Sequence, residues 1–170
     1  DMDCLSSSER TRRTDAIAQI VTTLKTKSSR VYIDAGHSNW QSTSTMTSRL
    51  KSSGIAKADG FSLNISNFQT TQESTTYGNN VSSKVEGKHF VVDTSRNGNG
   101  PSSSGEWCNP TGRALGAKPT LSTGQSLVDA YLWIKTPGDS DGSCGRGAPA
   151  AGQWWQSYAD MLYANRKKIE

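Results

Sequence analysis

Long apolar runs are missing from this sequence. Nothing in it approaches the roughly 20 consecutive apolar residues of a membrane-spanning helix. With 32% hydrophobic residues and a mean hydropathy of -0.66 the chain is polar throughout, so no membrane partner is expected. Cysteine and histidine are scarce as well. Cys4, Cys108 and Cys144 are widely separated, and His37 and His89 are the only imidazoles; such a set is too dispersed for zinc, so no metal and no cofactor is expected. Gly98-Asn99-Gly100 lacks the Gly-Lys-Ser/Thr continuation of a phosphate loop. Internal repeats and linker-bounded second domains are absent, and 170 residues suit one domain or part of a larger one. An initiator methionine and a signal peptide are also lacking: the chain opens on Asp1-Met2-Asp3-Cys4, and its natural N-terminus is expected upstream.

Net charge is +4 with a pI near 9.0, a balance that raises the question of polyanions. Its distribution answers against nucleic acid. Arg10, Arg12, Arg13, Lys25, Lys27 and Arg30 are spread along one helix and its exit, and Arg166, Lys167 and Lys168 form a terminal tail. Runs of this kind are ordinarily solvated faces. Asn64-Ile65-Ser66 and Asn80-Val81-Ser82 match the glycosylation sequon and lend slight support to secretion.

The turn and periodicity signals predict an alternating α/β chain. Ser6 to Ser8 cap an amphipathic helix over 8–27, with Ile17, Ile20, Val21 and Leu24 on its apolar stripe. A strand follows over 30–34, then a helix over 42–51 closed by Gly54, and a strand over 60–65. A third helix starts near Thr71 and is expected to break at Gly78-Asn79-Asn80. His89 to Asp93, HFVVD, reads as a strand buried on both faces. The long Gly/Ser-rich segment 94–124 is a loop of the length that functional loops reach. Leu127 and Val128 lead into a fourth strand, read as Tyr131 to Ile134, and Trp154 to Tyr163 closes the chain as a helix. Four parallel strands make either a small open sheet or about half of an eight-stranded barrel.

Each predicted strand ends on a polar residue: Asp34, the pair Asn64 and Ser66, Asp93, and Lys135. The exit loops add His37, Trp40, Asn67, Arg96, Asn97, Trp107, Asp139 and Asp141. A polar cleft with exposed indoles suits a sugar polymer, which needs flat apolar faces for its rings and fixed partners for its hydroxyls. Taken alone, YLWIKTPGDSDG (131–142) reads more readily as a strand end with an ordinary Pro/Gly turn than as a catalytic rim. Asp34 and Asp93 are read as structural, and Trp133, Trp154 and Trp155 as packing residues.

The phrases YIDAGHSNW (32–40), VVDTSRNGNGP (91–101), GEWCNPTGRALG (105–116) and DAYLWIKTPGDSDG (129–142) together resemble glycoside hydrolase family six, the inverting cellulases. The resemblance covers nearly the whole chain. It implies an α/β fold, a distorted parallel β/α barrel of which residues 1–170 supply roughly the C-terminal half, with no second domain. It implies hydrolysis of β-1,4-glucosidic bonds in cellulose and related β-glucans with inversion, for which one carboxylic acid protonates the leaving oxygen and another carboxylate helps to activate water. By the same resemblance Asp141 matches the disputed candidate base. Lys135 and Asp139 match residues that hydrogen-bond sugar, Trp40 and Trp107 match stacking residues, and His37 and Asn67 join the substrate-binding set. Asp139 stands where glutamate is usual. Cys108 matches a cysteine disulfide-bonded into the loop that holds Cys144.

No segment matches the family's motifs for the general acid or for the aspartate that tunes it. Cys4 looks like half of a disulfide whose partner lies near that acid. The N-terminal half of the same domain is therefore an expected partner beside the glucan, and the isolated chain is expected to be inactive. The alternative is a non-catalytic glucan-binding fragment. The short loop between Asp141 and Ala151 favours endo action, and the family and the cysteines point to an extracellular, secreted protein.

Overall fold

A computed structural model describes residues 2–166; Asp1 and the basic-tail residues Lys167 and Lys168 lie outside them. The elements run α1 (Ser7–Leu24), β1 (Tyr32–Asp34), α2 (Thr43–Ser52), a 3-10 turn (Ile55–Lys57), β2 (Gly60–Leu63), α3 (Thr71–Ser82), β3 (His89–Asp93), β4 (Val128–Leu132) and α4 (Gln156–Asn165). The strands form one 4-stranded sheet in the order β1-β2-β3-β4. Every pairing is parallel, with Asp34 beside Ser62, Leu63 beside Val92 and Asp93 beside Leu132. All four C-terminal ends therefore open on one side, where the loops that follow the strands gather.

The core lies where helices cover the sheet. Ile33, Phe61, Leu63, Phe90, Val92 and Val128 meet Val21, Met46, Leu50, Tyr77 and Val81. Phe61 and Phe90, directly opposed in the ladder, stack with centroids 5.2 Å apart and planes 17° apart. Full burial of one such ring is worth about 1.5–3 kcal/mol. The alternate positions Ser62, Val91 and Ala130 are buried too, so the sheet is covered on both faces as its continuous apolar strands require.

Local signals set most boundaries. Ser6 and Glu9 form the capping box of α1, with Ser6 N–H donating to Glu9 Oε2 at 2.8 Å. Three expectations need correction. The third helix does not break: α3 runs through Gly78, which faces the sheet because a Cβ there would come within 2.4 Å of the Phe90 ring. That glycine sets close packing, and Asn79 and Asn80 stand exposed on the far side. The fourth strand is Val128–Leu132, three residues earlier than expected, because pairing with Phe90 to Asp93 sets its register. Trp133 has already left the sheet and donates its indole N–H to Ala117 O at 2.9 Å. On α1, Val21 alone of the expected apolar stripe is fully buried; Ile17 is partly covered, and Ile20 and Leu24 are each 55% exposed.

The two sheet edges differ. Thr120 and Tyr131 exchange backbone bonds of 2.9 and 3.0 Å along the outer edge of β4. The outer edge of β1 has no strand partner among the described residues, and beside it Ile17, Ile20, Leu24, Val31, Met46 and Leu50 line an apolar groove.

Candidate active site

The loops at the strand exits converge on Asp93. Its side chain is fully buried at the end of β3. Oδ2 accepts the backbone N–H of Ser66 and of Lys135, each at 3.0 Å, and Oδ1 accepts that of Ser95 at 2.9 Å. One carboxylate thus ties together the exits of β2, β3 and β4 with charge-assisted bonds, roughly twice as strong as neutral ones. Asn64 does similar work at the end of β2. With a left-handed φ of 64° and no exposed surface, its amide donates to Gln69 O and Asp93 O and accepts from Gln69 N–H. That burial withdraws Asn64 from the glycosylation reading of its sequon, whereas Asn80 remains exposed.

Above this frame Asp141 is held from several sides. Its side chain is 9% exposed. Oδ2 accepts from Arg96 Nη1 at 2.8 Å and from the backbone N–H of Asn109 at 3.0 Å. Lys135 Nζ stands 3.6 Å from Oδ1 and donates to Ser140 O at 3.4 Å. Arg96 has no exposed side-chain surface; its Nη2 donates to Ser66 O at 2.6 Å, and its guanidinium lies 4.4 Å from the centroid of Phe68. Two cations and one backbone N–H converge on this shielded carboxylate and fix its orientation.

Asp141 shares an open pocket with Glu106, Trp107, Cys108, Gly142 and Cys144. Trp107 is 68% exposed, so its ring face is free to receive a flat apolar surface. Cys108 and Cys144 are disulfide-bonded and join the loop carrying Trp107 to the loop carrying Asp141. Asp139 lies on that second loop, half-buried, its backbone bridged to Trp154; its carboxylate makes no hydrogen bond among the described residues.

A second group sits at the exit of β1. His37 and Trp40 stack with centroids 6.4 Å apart and planes 25° apart, and Trp40 is 41% exposed. Gly36 has φ of +65°, and a Cβ there would come within 2.4 Å of the Trp40 ring, so the indole lies directly against backbone. Burial holds His37 below the ordinary imidazole range, with the charge of Asp34 opposing it. His37 Nδ1 accepts the Asn39 N–H at 3.3 Å, which leaves the proton of the neutral ring on Nε2. Asp34 itself accepts from Gly36 N–H at 2.8 Å, a local turn contact. Asn67, at the exit of β2, accepts at Oδ1 from Phe68 N–H at 2.8 Å, and its Nδ2 makes no hydrogen bond among the described residues.

Of the residues expected from the sequence, Lys135, Trp107 and Asp141 with the disulfide form one cluster, and His37 with Trp40 forms another. Arg96 is among the polar exit-loop residues of the sequence but carries no assigned role there, and Asn109 is not singled out at all; both touch Asp141 directly. The signal for Arg96 was an arginine directly after the buried strand HFVVD; for Asn109 it was an asparagine next to a loop cysteine. Cys4 is exposed and unpaired among the described residues. Those residues contain no group of three or more His, Cys, Asp or Glu side chains able to hold a metal ion.

The chain is similar to endoglucanase A of Cellulomonas fimi, 54% identical over 144 residues that make up 85% of this chain and 31% of that protein. Endoglucanase 1 of Streptomyces halstedii is 49% identical over 78% of this chain and 42% of its own length. Among solved structures, the endoglucanase Cel6 from Mycobacterium tuberculosis, in complex with methyl-cellobiosyl-4-deoxy-4-thio-β-D-cellobioside, superposes with a TM-score of 0.92 at 51% identity, covering 96% of this chain and 57% of that one. A GH6 enzyme of Orpinomyces sp. Y102 gives 0.88 at 34% identity over 99% and 61%. The chain thus spans between about a third and three fifths of these relatives. The family model for glycosyl hydrolases family 6 matches residues 2–166, and the chain belongs to that family.

Proposed function

We propose that residues 1–170 are the C-terminal part of the catalytic domain of a secreted, inverting, endo-acting β-1,4-glucanase. The observation that carries this reading is the carboxylate of Asp141, fixed by Arg96 and the Asn109 N–H, with Lys135 beside it, in the same pocket as the exposed Trp107. In this reading Trp107 and Trp40 stack on glucose rings, and His37, Asn67, Lys135 and Asp139 bind hydroxyls. Asp141 is the carboxylate toward which the attacking water delivers its proton.

The leaving oxygen needs an acid, and two of the strand-end carboxylates are committed elsewhere, while Asp139 is read here as binding sugar. Asp93 is spent on three backbone N–H groups and Asp34 on the turn at Gly36. The acid therefore comes from the upstream half of the domain, packed along the open edge of β1. Cys4 pairs with a cysteine in that half. Endo action rests on the short loop after Asp141 and on the open exposure of Trp107; the relatives named endoglucanase lend it weight. Proton NMR of the first products from a cello-oligosaccharide, cut by the complete catalytic domain, tests the stereochemistry. The α-anomer should form first, and an initial β-anomer would overturn inversion. A rapid fall in the viscosity of soluble cellulose, ahead of reducing-end release, is the endo signature.

A further inference from the structure

Asn109 holds the whole turn around Asp141. It is fully buried and sits at a left-handed φ of 48°, a conformation that asparagine tolerates better than most residues. Its backbone N–H donates to Asp141 Oδ2 at 3.0 Å, and its Oδ1 accepts the Asp141 N–H at 2.7 Å. Its Nδ2 reaches Ser140 Oγ at 3.0 Å, Gly142 O at 2.9 Å and Cys144 Sγ at 3.2 Å. Residues on both sides of Asp141, and Asp141 itself through backbone and side chain, are thus bound to this one residue. Its own carbonyl accepts from Arg146 Nη2 at 2.7 Å, and Arg146 pairs with Glu106 at 3.0 Å. The disulfide joins neighbouring residues of the same two loops.

We infer that Asn109 is a positioning residue for the reaction: its amide sets the orientation of the Asp141 carboxylate, and so the line along which water is activated. The inference rests on the reading of Asp141 given above. The residue type follows from the contacts. A leucine or alanine would lose the amide and be strained at positive φ. An aspartate would keep the acceptor for the Asp141 N–H but set a carboxylate against Gly142 O and Asp141. Glycine would keep the backbone conformation and the N–H to Asp141 Oδ2 and lose only the amide. A displacement of about 1 Å in a catalytic group costs on the order of 10²-fold in rate.

The test uses the complete catalytic domain, this chain joined to its upstream half, with Asn109→Gly, Asn109→Asp and Asp141→Asn measured side by side on cello-oligosaccharides. Asn109→Gly should lower kcat by about 10- to 100-fold while the dissociation constant of a non-hydrolysable thio-linked oligosaccharide stays within about twofold of the parent. Asn109→Asp should move the acid limb of kcat/KM to higher pH, because a second carboxylate beside Asp141 favours its protonated form. Asn109→Gly should leave that limb in place. A purely structural role would lower the melting temperature and leave the kcat of Asn109→Gly unchanged at a temperature where the fold is intact; that result overturns the inference. If Asn109→Gly does not fold, the kcat of Asn109→Asp, read against its binding of the thio-linked oligosaccharide, decides alone. Should Asp141→Asn turn over like the parent, the reading of the site fails and this inference with it. A disabled Asp141→Asn beside a fully active Asn109→Gly overturns the positioning role only.

Discussion

Arg96 donates from Nη1 to Asp141 Oδ2 at 2.8 Å, from a guanidinium with no exposed surface to a carboxylate that is 9% exposed. Neither charge has solvent to fall back on. Removing one partner of a buried pair costs about 3–5 kcal/mol, and here Lys135 Nζ, 3.6 Å from the other carboxylate oxygen, offsets only part of the loss. Arg96→Met in the complete catalytic domain should therefore lower the urea midpoint strongly. Arg96→Lys should recover only part of the loss, since one ammonium cannot reach both Asp141 and Ser66 O in the geometry of the planar fork. A midpoint within error of the parent for Arg96→Met would contradict the pairing.

Trp107 lies in the same pocket and is mostly in solvent. Trp107→Ala should leave the melt almost unchanged and weaken cello-oligosaccharide binding by about 1–3 kcal/mol, the value of burying an apolar side chain of this class. Calorimetry on both proteins checks it, and equal affinities would remove Trp107 from the substrate platform.

The cysteines make a counting prediction. With Cys108 bonded to Cys144 and Cys4 exposed, the 170-residue chain labelled without reductant should show one reactive thiol, and three after reduction. Cys144→Ser should cost about 2–4 kcal/mol through the freed loop. Three thiols before reduction would disprove the bond.

His37 supplies a pH dependence whose sign can be stated. Burial lowers its proton affinity in the folded chain, while the unfolded imidazole titrates near the usual value of about 6.5. The unfolded state therefore binds the proton first as pH falls. The contribution of neutral His37 to stability is complete above about pH 6.5 and is lost as pH drops toward the lower folded value. His37→Phe should gain stability relative to the parent between pH 7.5 and pH 5, measured by urea unfolding at both. A parallel pair of curves would show that the ring stays solvated.

Much of this architecture was legible in the residues. His89 to Asp93 was readable to the residue, because an apolar run buried on both faces has few alternatives. The polar strand ends were legible because a parallel sheet sends all of them to one side. What escaped depends on neighbours far along the chain. The start of β4 is set by its pairing with β3, and the continuity of α3 by the fit of Gly78 against Phe90. Ile20 and Leu24 follow helical spacing, yet both stand exposed beside the sheet edge that no strand covers among the described residues. Arg96 and Asn109 read as loop residues because their value lies in partners 45 and 32 positions away, which no local pattern encodes.

The most direct test asks whether the chemistry needs both halves of the domain. The 170-residue chain alone, the chain with its upstream half, and that pair carrying Asp141→Asn are assayed on soluble cellulose under one set of conditions. General acid catalysis contributes about 10²- to 10⁴-fold, so the chain alone should show essentially no turnover and the pair should show full activity. Asp141→Asn should abolish most of that activity while retaining oligosaccharide binding. Robust hydrolysis by the pure 170-residue chain would contradict the account and return the search for the acid to Asp34, Asp93 and Asp139.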